Sequence, residues 1–306
     1  MQGKRDLLSI TDLSPQETLH IIHRARQMKA GESGTPLAGK NLALLFQKPS
    51  LRTRVSFQVG IQQLGGYSVY LGGEEVGLGT REPVADVARV LSGYVDCIIA
   101  RVFSHSDLAE LSRCATVPVI NALSDWEQPC QVLADLLTIA EFKGELKGLR
   151  LAFIGDGNNA ARSLCLALPA VGMSFAMATP PGYNLDQASV TLARRRAGDD
   201  KVVVVSLADP SEAVKGADVV YTDTWISMGQ EGEADRRRQA FQGYTVDPSL
   251  LSRAKPDALF MHDMPAHYGE EVPPGMLDHP QSVAFAQAHN RLPAQKALLE
   301  LLLGGS

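Results

Sequence analysis

Short apolar runs alternate with helical spacing along almost the whole chain, and the alternation starts afresh once. Runs at 42–46, 67–71, 95–100 and 117–123 read as buried strands, each leading into a turn or a helical pattern. The polar segment Lys143-Gly144-Glu145-Leu146-Lys147-Gly148 reads as a seam, beyond which strand candidates recur at 151–154, 174–178, 202–206, 219–222 and 258–261. Strands separated by helices run parallel, because each helix carries the chain back across the sheet. The expected fold is α/β, with two doubly wound domains built on parallel sheets and joined by interdomain helices. At 306 residues each half can bury its own core.

Helix signals fill the gaps. Ser14-Pro15-Gln16-Glu17 is a capping box, opening a helix that puts Leu19, Ile22 and Ala25 on one side. A Gly-rich loop runs to Gly79, and Pro83 suits the first turn of a helix bearing Val84, Val87, Val90 and Leu91. Further helices are expected over about 106–114 and 129–142, and one continuous terminal helix over about 286–303.

Bulk properties exclude several classes. A net charge of −5 gives no general attraction to nucleic acid or an anionic membrane. The triplets Arg194-Arg195-Arg196 and Arg236-Arg237-Arg238 read as solvated helix faces. No apolar run approaches the ~20 residues of a membrane span, and the N-terminus is too polar for a signal peptide, so a cytoplasmic protein is expected. Cys97, Cys114, Cys130 and Cys165 form no C-x-x-C pair and read as reduced thiols, mostly buried. His20 and His23 share a helix face without a third ligand, so no metal is expected.

Three stretches carry chemistry. In Phe46-Gln47-Lys48-Pro49-Ser50-Leu51-Arg52-Thr53-Arg54, a strand breaks at Pro49 just before a helix bearing Val55, Val59 and Leu64. Ser50, Thr53, Arg52 and Arg54 thus gather at a helix N-terminus, where unpaired N–H groups and guanidiniums favour an anion. The plainer alternative is a capped helix with two solvated arginines. Gly155-Asp156-Gly157-Asn158-Asn159-Ala160 satisfies the dinucleotide fingerprint G-x-G-x-x-A, yet the next strand ends in Met177-Ala178-Thr179-Pro180 without the acid a ribose needs. Asn158 and Asn159 suit neutral hydrogen bonding to a carboxylate instead. Asp223, Ser227 and Met228 follow an apolar strand, where Asp223 would pair with an ammonium and Ser227 with a carboxylate.

The segment 50–54 resembles the S-T-R-T-R motif of the aspartate and ornithine carbamoyltransferases. Ala100-Arg101-Val102-Phe103-Ser104-His105, Gln128-Pro129-Cys130-Gln131 with Ala134-Asp135-Leu136-Leu137-Thr138, Gly155 to Asn159, and Asp223-Thr224-Trp225-Ile226-Ser227-Met228-Gly229-Gln230 are similar to the ornithine branch in order. His262-Asp263-Met264-Pro265 resembles its H-C-L-P. The resemblance spans essentially the whole chain. It implies a carbamoyl-phosphate-binding domain at 1–142, an ornithine-binding domain at 143–285, and a helix at 286–306 that packs back on the first domain. The implied partners are carbamoyl phosphate and L-ornithine, in a homotrimer, without a cofactor. The implied reaction gives L-citrulline and phosphate.

By the same resemblance, carbamoyl phosphate is held by Ser50, Leu51, Arg52, Thr53, Arg101, Gln128, Gln131, Asp263, Met264 and Arg291. Ornithine is held by Asn159, Asp223, Ser227 and Met228. Arg101, Gln128, Asp263 and Arg291 are the implied catalytic set. Several positions depart from the family pattern. Leu51 replaces a Thr, Gly77 a Gln or His that reaches a neighbouring subunit, and Tyr268 an Arg. Gln128 stands for the H-P-C-Q histidine and can donate but never become cationic. Asp263 stands for the H-C-L-P cysteine, where a carboxylate favours an ammonium and opposes amine attack unless it takes the proton itself. Three readings follow: ornithine transfer with a modified site, transfer to another amine, or binding of carbamoyl phosphate without turnover.

Overall fold

A computed structural model describes residues 4–227 and 229–304. The chain divides into two compact units, Met1–Leu137 with Asn290–Ser306, and Thr138–His289. The first division falls inside the helix Pro129–Lys143, the second beside Asn290.

In the first unit β1 (Asn41–Phe46), β2 (Tyr67–Gly72), β3 (Cys97–Arg101) and β4 (Val119–Leu123) form one parallel sheet in the order β2-β1-β3-β4. β3 and β4 are buried throughout and β1 beyond its first residue, the mark of central strands covered on both faces. Leu7 exchanges main-chain hydrogen bonds with Val119 and Asn121, which fixes the start of the chain to β4.

Helix faces differ from the expected ones in detail. On Pro15–Lys29, Thr18, Ile21, Ile22, Ala25 and Met28 are buried, whereas Leu19 is exposed. On Leu51–Gln63 the buried face is Thr53, Phe57, Gly60 and Ile61, and Val55 points outward. The cause lies at Gly60, where a Cβ would meet Lys296 Cγ at 3.2 Å, so the missing side chain lets the terminal helix approach. Val90 is likewise exposed on Val84–Ser92.

The Gly-rich loop holds a single helical turn, Gly73–Val76, closed by Gly77 at φ 59°. The terminal helix is two helices, Ala284–His289 and Arg291–Leu303. Pro293 explains the break, because it has no N–H for a carbonyl four residues back and fits only a first turn. Asn290 at the junction accepts a hydrogen bond from Lys29 Nζ at 2.8 Å. Arg291–Leu303 packs on Pro15–Lys29 and Leu51–Gln63, with Arg24 paired to Glu300 at 2.9 Å.

In the second unit β5 (Arg150–Ile154), β6 (Ser174–Ala178), β7 (Val204–Leu207), β8 (Val219–Thr222) and β9 (Leu259–His262) are parallel in the order β7-β6-β5-β8-β9. Its core gathers Ile154, Val220, Phe241, Phe260 and Met276. Arg237 departs from the expected solvated face. It is buried, bonding Asp156 Oδ2 at 3.0 Å and the Trp225 carbonyl at 2.9 Å. The loop after β5 presents a buried carboxylate, and burial pushes the Asp156 acid upward while Arg237 opposes the shift. Arg194 and Arg196 also bond main-chain carbonyls, of Val204 and Leu166. All four cysteines are free thiols.

Candidate active site

Each sheet reverses its strand order at one place. In the first unit that place lies between β1 and β3, where Phe46 stands opposite Arg101. In the second it lies between β5 and β8, where Ile154 stands opposite Thr222. Open parallel sheets bind ligands beyond the strand C-termini at such reversals. The motifs at 47–54 and Arg101 fall at the first reversal, and those at 155–159 and 223 at the second.

At the first reversal, Ser50 is the N-cap of Leu51–Gln63 and accepts the Thr53 N–H at 3.2 Å. Leu51 offers only main-chain groups, its side chain being 75% exposed. Arg52 is half-buried in the first turn. Arg54 does not join it, since residues two apart on a helix point away from one another. Its guanidinium instead stacks on the Tyr70 ring at 3.6 Å, beside a cavity of about 950 Å³. Arg291 enters from the other end of the sequence. It donates to Thr53 Oγ1 at 2.5 Å and to Gln131 Oε1, and Gln131 donates onward to Asp135 Oδ1 at 2.8 Å. Arg101, at a register shift between β3 and β4, and Gln128, just before the helix Pro129–Lys143, are both buried. A buried charge-assisted network thus fixes guanidiniums and amides beside a capped helix start, a setting suited to an oxyanion. Lys48, which the motif analysis left without a role, is buried with its ammonium 4.7 Å from the Phe103 ring centroid.

At the second reversal, Asn158 caps the helix Asn159–Ala167 through Ala161 N–H and donates Nδ2 to Asp223 Oδ2 at 2.6 Å. Asn159 is half-buried at the first helical position. Asp223 Oδ1 accepts the Thr224 N–H at 2.8 Å. The register pairs Thr222 with His262, so the residues that follow, Asp223 and Asp263, lie side by side. Both are buried. Burial pushes the Asp223 acid well above its ordinary range, and the neighbouring Asp263 carboxylate pushes the same way.

His262 accepts the Met264 N–H at Nδ1 (2.9 Å) and faces Glu271 Oε1 through Nε2 at 3.2 Å, which puts its proton on Nε2. Asp223, His262 and Asp263 offer oxygen and nitrogen atoms within 4.8 Å, but that Nδ1 lone pair is already used. Met264 sits at φ 56°, a left-handed conformation uncommon outside glycine. Ser227 is half-buried and its N–H bonds Gln230 Oε1 at 3.0 Å. Met228 lies outside the described residues.

Comparison with known proteins matches residues 5–141 to the carbamoyl-P binding domain of aspartate/ornithine carbamoyltransferase, and residues 147–302 to its Asp/Orn binding domain. The chain belongs to the aspartate/ornithine carbamoyltransferase family. An ornithine carbamoyltransferase of Anoxybacillus flavithermus is 50% identical over 307 residues, covering 99% of this chain and 98% of that one. A Pyrococcus furiosus protein named "Ornithine carbamoyltransferase, anabolic" is 49% identical over 98% of this chain and 97% of its own. The solved ornithine carbamoyltransferase from Pyrococcus furiosus superposes with a TM-score of 0.95 at 48% identity, over 99% and 98% of the two chains.

Family membership accounts for the glycine-rich turn that also fits a dinucleotide fingerprint. The second glycine of that fingerprint leaves room for a pyrophosphate. Here a Cβ on Gly157 would lie 2.7 Å from Asn184 C, Leu185 N and Tyr183 O, so the chain's own backbone fills the space. Two features of this family member were not legible beforehand. Asn158 is committed to the helix cap and to Asp223, and Glu271 buttresses His262 from nine residues along. The cap was recoverable from Asn at a strand-to-helix turn, whereas nothing local marks Glu271. Among the described residues no helix is long and apolar enough to cross a membrane.

Proposed function

We propose that this family member transfers the carbamoyl group of carbamoyl phosphate to the side-chain amine of L-ornithine, giving L-citrulline and phosphate. The observation that carries this reading is identity near one half, over the full chain, with relatives named ornithine carbamoyltransferase. In this reading Ser50, Leu51 through its main chain, Arg52, Thr53 and Arg101 hold the phosphate. Gln128 and Gln131 hold the carbamoyl group, while Arg101 and Arg291 stabilise the oxyanion of the tetrahedral state. Asp263 and Met264 border the reacting amine. Asn159, Asp223, Ser227 and Met228 hold ornithine by its ammonium and carboxylate groups.

The chemistry needs positioning and fixed donors, and neither an enzyme nucleophile nor a metal is required for an amine to displace phosphate from a carbonyl. We further assign the protein to the cytoplasm, to arginine biosynthesis and to a homotrimer, in keeping with the anabolic relative.

Citrulline formation from both substrates, followed from about pH 6 to about pH 10 because the free side-chain ammonium has a pKa near ~10.4, is the deciding assay. Turnover with ornithine preferred over a panel of other amines is expected. No citrulline at any pH with both substrates saturating rejects the reading.

A further inference from the structure

The register that sets Asp223 beside Asp263 puts two carboxylates in one buried place. Asp223 is held by Thr224 N–H and Asn158 Nδ2, whereas Asp263 Oδ1 is buried and has no hydrogen-bond donor among the described residues. The titratable groups facing the two are His262, with Nδ1 at 4.0 Å from Asp263 Oδ1, and behind it Glu271, itself 3.9 Å from His267. His262 cannot supply a proton to Asp263, since its Nδ1 already accepts from Met264. Arg237, in the same unit, is engaged with Asp156 and Glu233. Among the described residues no lysine or arginine pairs with either Asp223 or Asp263. Two buried carboxylates without a cation cannot both stay ionised, as like charges at short range disfavour the second ionisation.

We infer that Asp223 and Asp263 act as one acceptor pair, holding a single shared proton before substrate enters and then taking the proton of the ornithine side-chain ammonium. The inference rests on the transferase reading and specifies its proton acceptor. Entry of the ammonium displaces the shared proton to solvent and leaves a doubly charged pair around one cation. One N–H bond then breaks, its proton passes to a carboxylate oxygen, and the freed nitrogen lone pair attacks the carbamoyl carbon. The C–O bond to phosphate breaks as the tetrahedral state collapses, and the second nitrogen proton leaves with the phosphate. The carboxylate that seemed to oppose attack thus becomes the base that permits it.

The test uses the full chain and two readouts. Carbon-13 NMR of carboxyl-labelled aspartate should give a signal that titrates above the ordinary carboxylate range and disappears in Asp263→Asn. Citrulline assays should show kcat/KM lowered by about 10²-fold or more in Asp263→Asn. Asp263→Cys should recover turnover with its acid limb moved upward, towards the thiol value near ~8.5. Absence of a high-titrating carboxyl in the wild type overturns the shared proton, whatever the activity and however the variants fold. An unchanged pH profile in Asp263→Cys overturns the acceptor role. A high-titrating carboxyl without any citrulline removes the transferase reading and the acceptor role with it, which separates that failure from the other two.

Discussion

Arg291 Nη2 donates to Thr53 Oγ1 at 2.5 Å across 238 positions of sequence. The same guanidinium donates to Gln131, so one planar fork links the start of Leu51–Gln63 to the first turn of Pro129–Lys143. Arg291→Lys keeps the charge and loses the fork. We expect kcat/KM to fall by about 10²- to 10³-fold, the loss typical of one fixed oxyanion donor, with a raised KM for carbamoyl phosphate. Steady-state kinetics of citrulline formation on a variant with an unchanged melting curve measures it.

The raised Asp223 acid makes stability depend on pH with a definite sign. The folded chain holds that proton more tightly than the unfolded chain. The resulting stabilisation is complete below the ordinary carboxylate value and is lost as pH rises through the folded one. Asp263→Asn removes the neighbouring charge, so its melting temperature should exceed that of the wild type at pH about 7 and converge on it below about pH 4. Calorimetry of both proteins across that range is the check, and a gap that widens towards acid would contradict it.

Gly77 stands where relatives carry larger residues, and its backbone explains the glycine. It closes Gly73–Val76 at φ 59°, and a Cβ there would lie 2.7 Å from Arg81 Cβ. Gly77→Gln should therefore cost about 1–2 kcal/mol for the left-handed conformation alone, with crowding against Arg81 added. Urea unfolding midpoints report it, and an unshifted midpoint means that the turn rearranges freely.

Thiol chemistry separates the cysteines. Burial pushes Cys130 and Cys165 up to about 12 and raises Cys97 as well, whereas Cys114 is only partly covered. Reactivity follows the thiolate and its exposure. Ellman's reagent at about pH 8 should titrate at most Cys114 in the native protein and all four thiols after denaturation. Fast native labelling of a second cysteine would contradict this burial.

The sequence by itself determined the α/β class, the parallel sheets and nearly every strand. Those follow from local periodicity, since a strand such as β6 or β8 carries its own apolar run and turn signals wherever it lies. Helix faces were less legible, because the burial of Thr53 and the exposure of Val55 depend on how closely Arg291–Leu303 approaches at Gly60. Motif residues such as Ser50 and Asn158 could be named in advance, as a capping oxygen acts on its own neighbours. Their long-range partners could not. Arg291 on Thr53, Arg237 on Asp156 and Asp263 beside Asp223 each depend on strand register and helix docking between distant segments, and only the tertiary structure decided them.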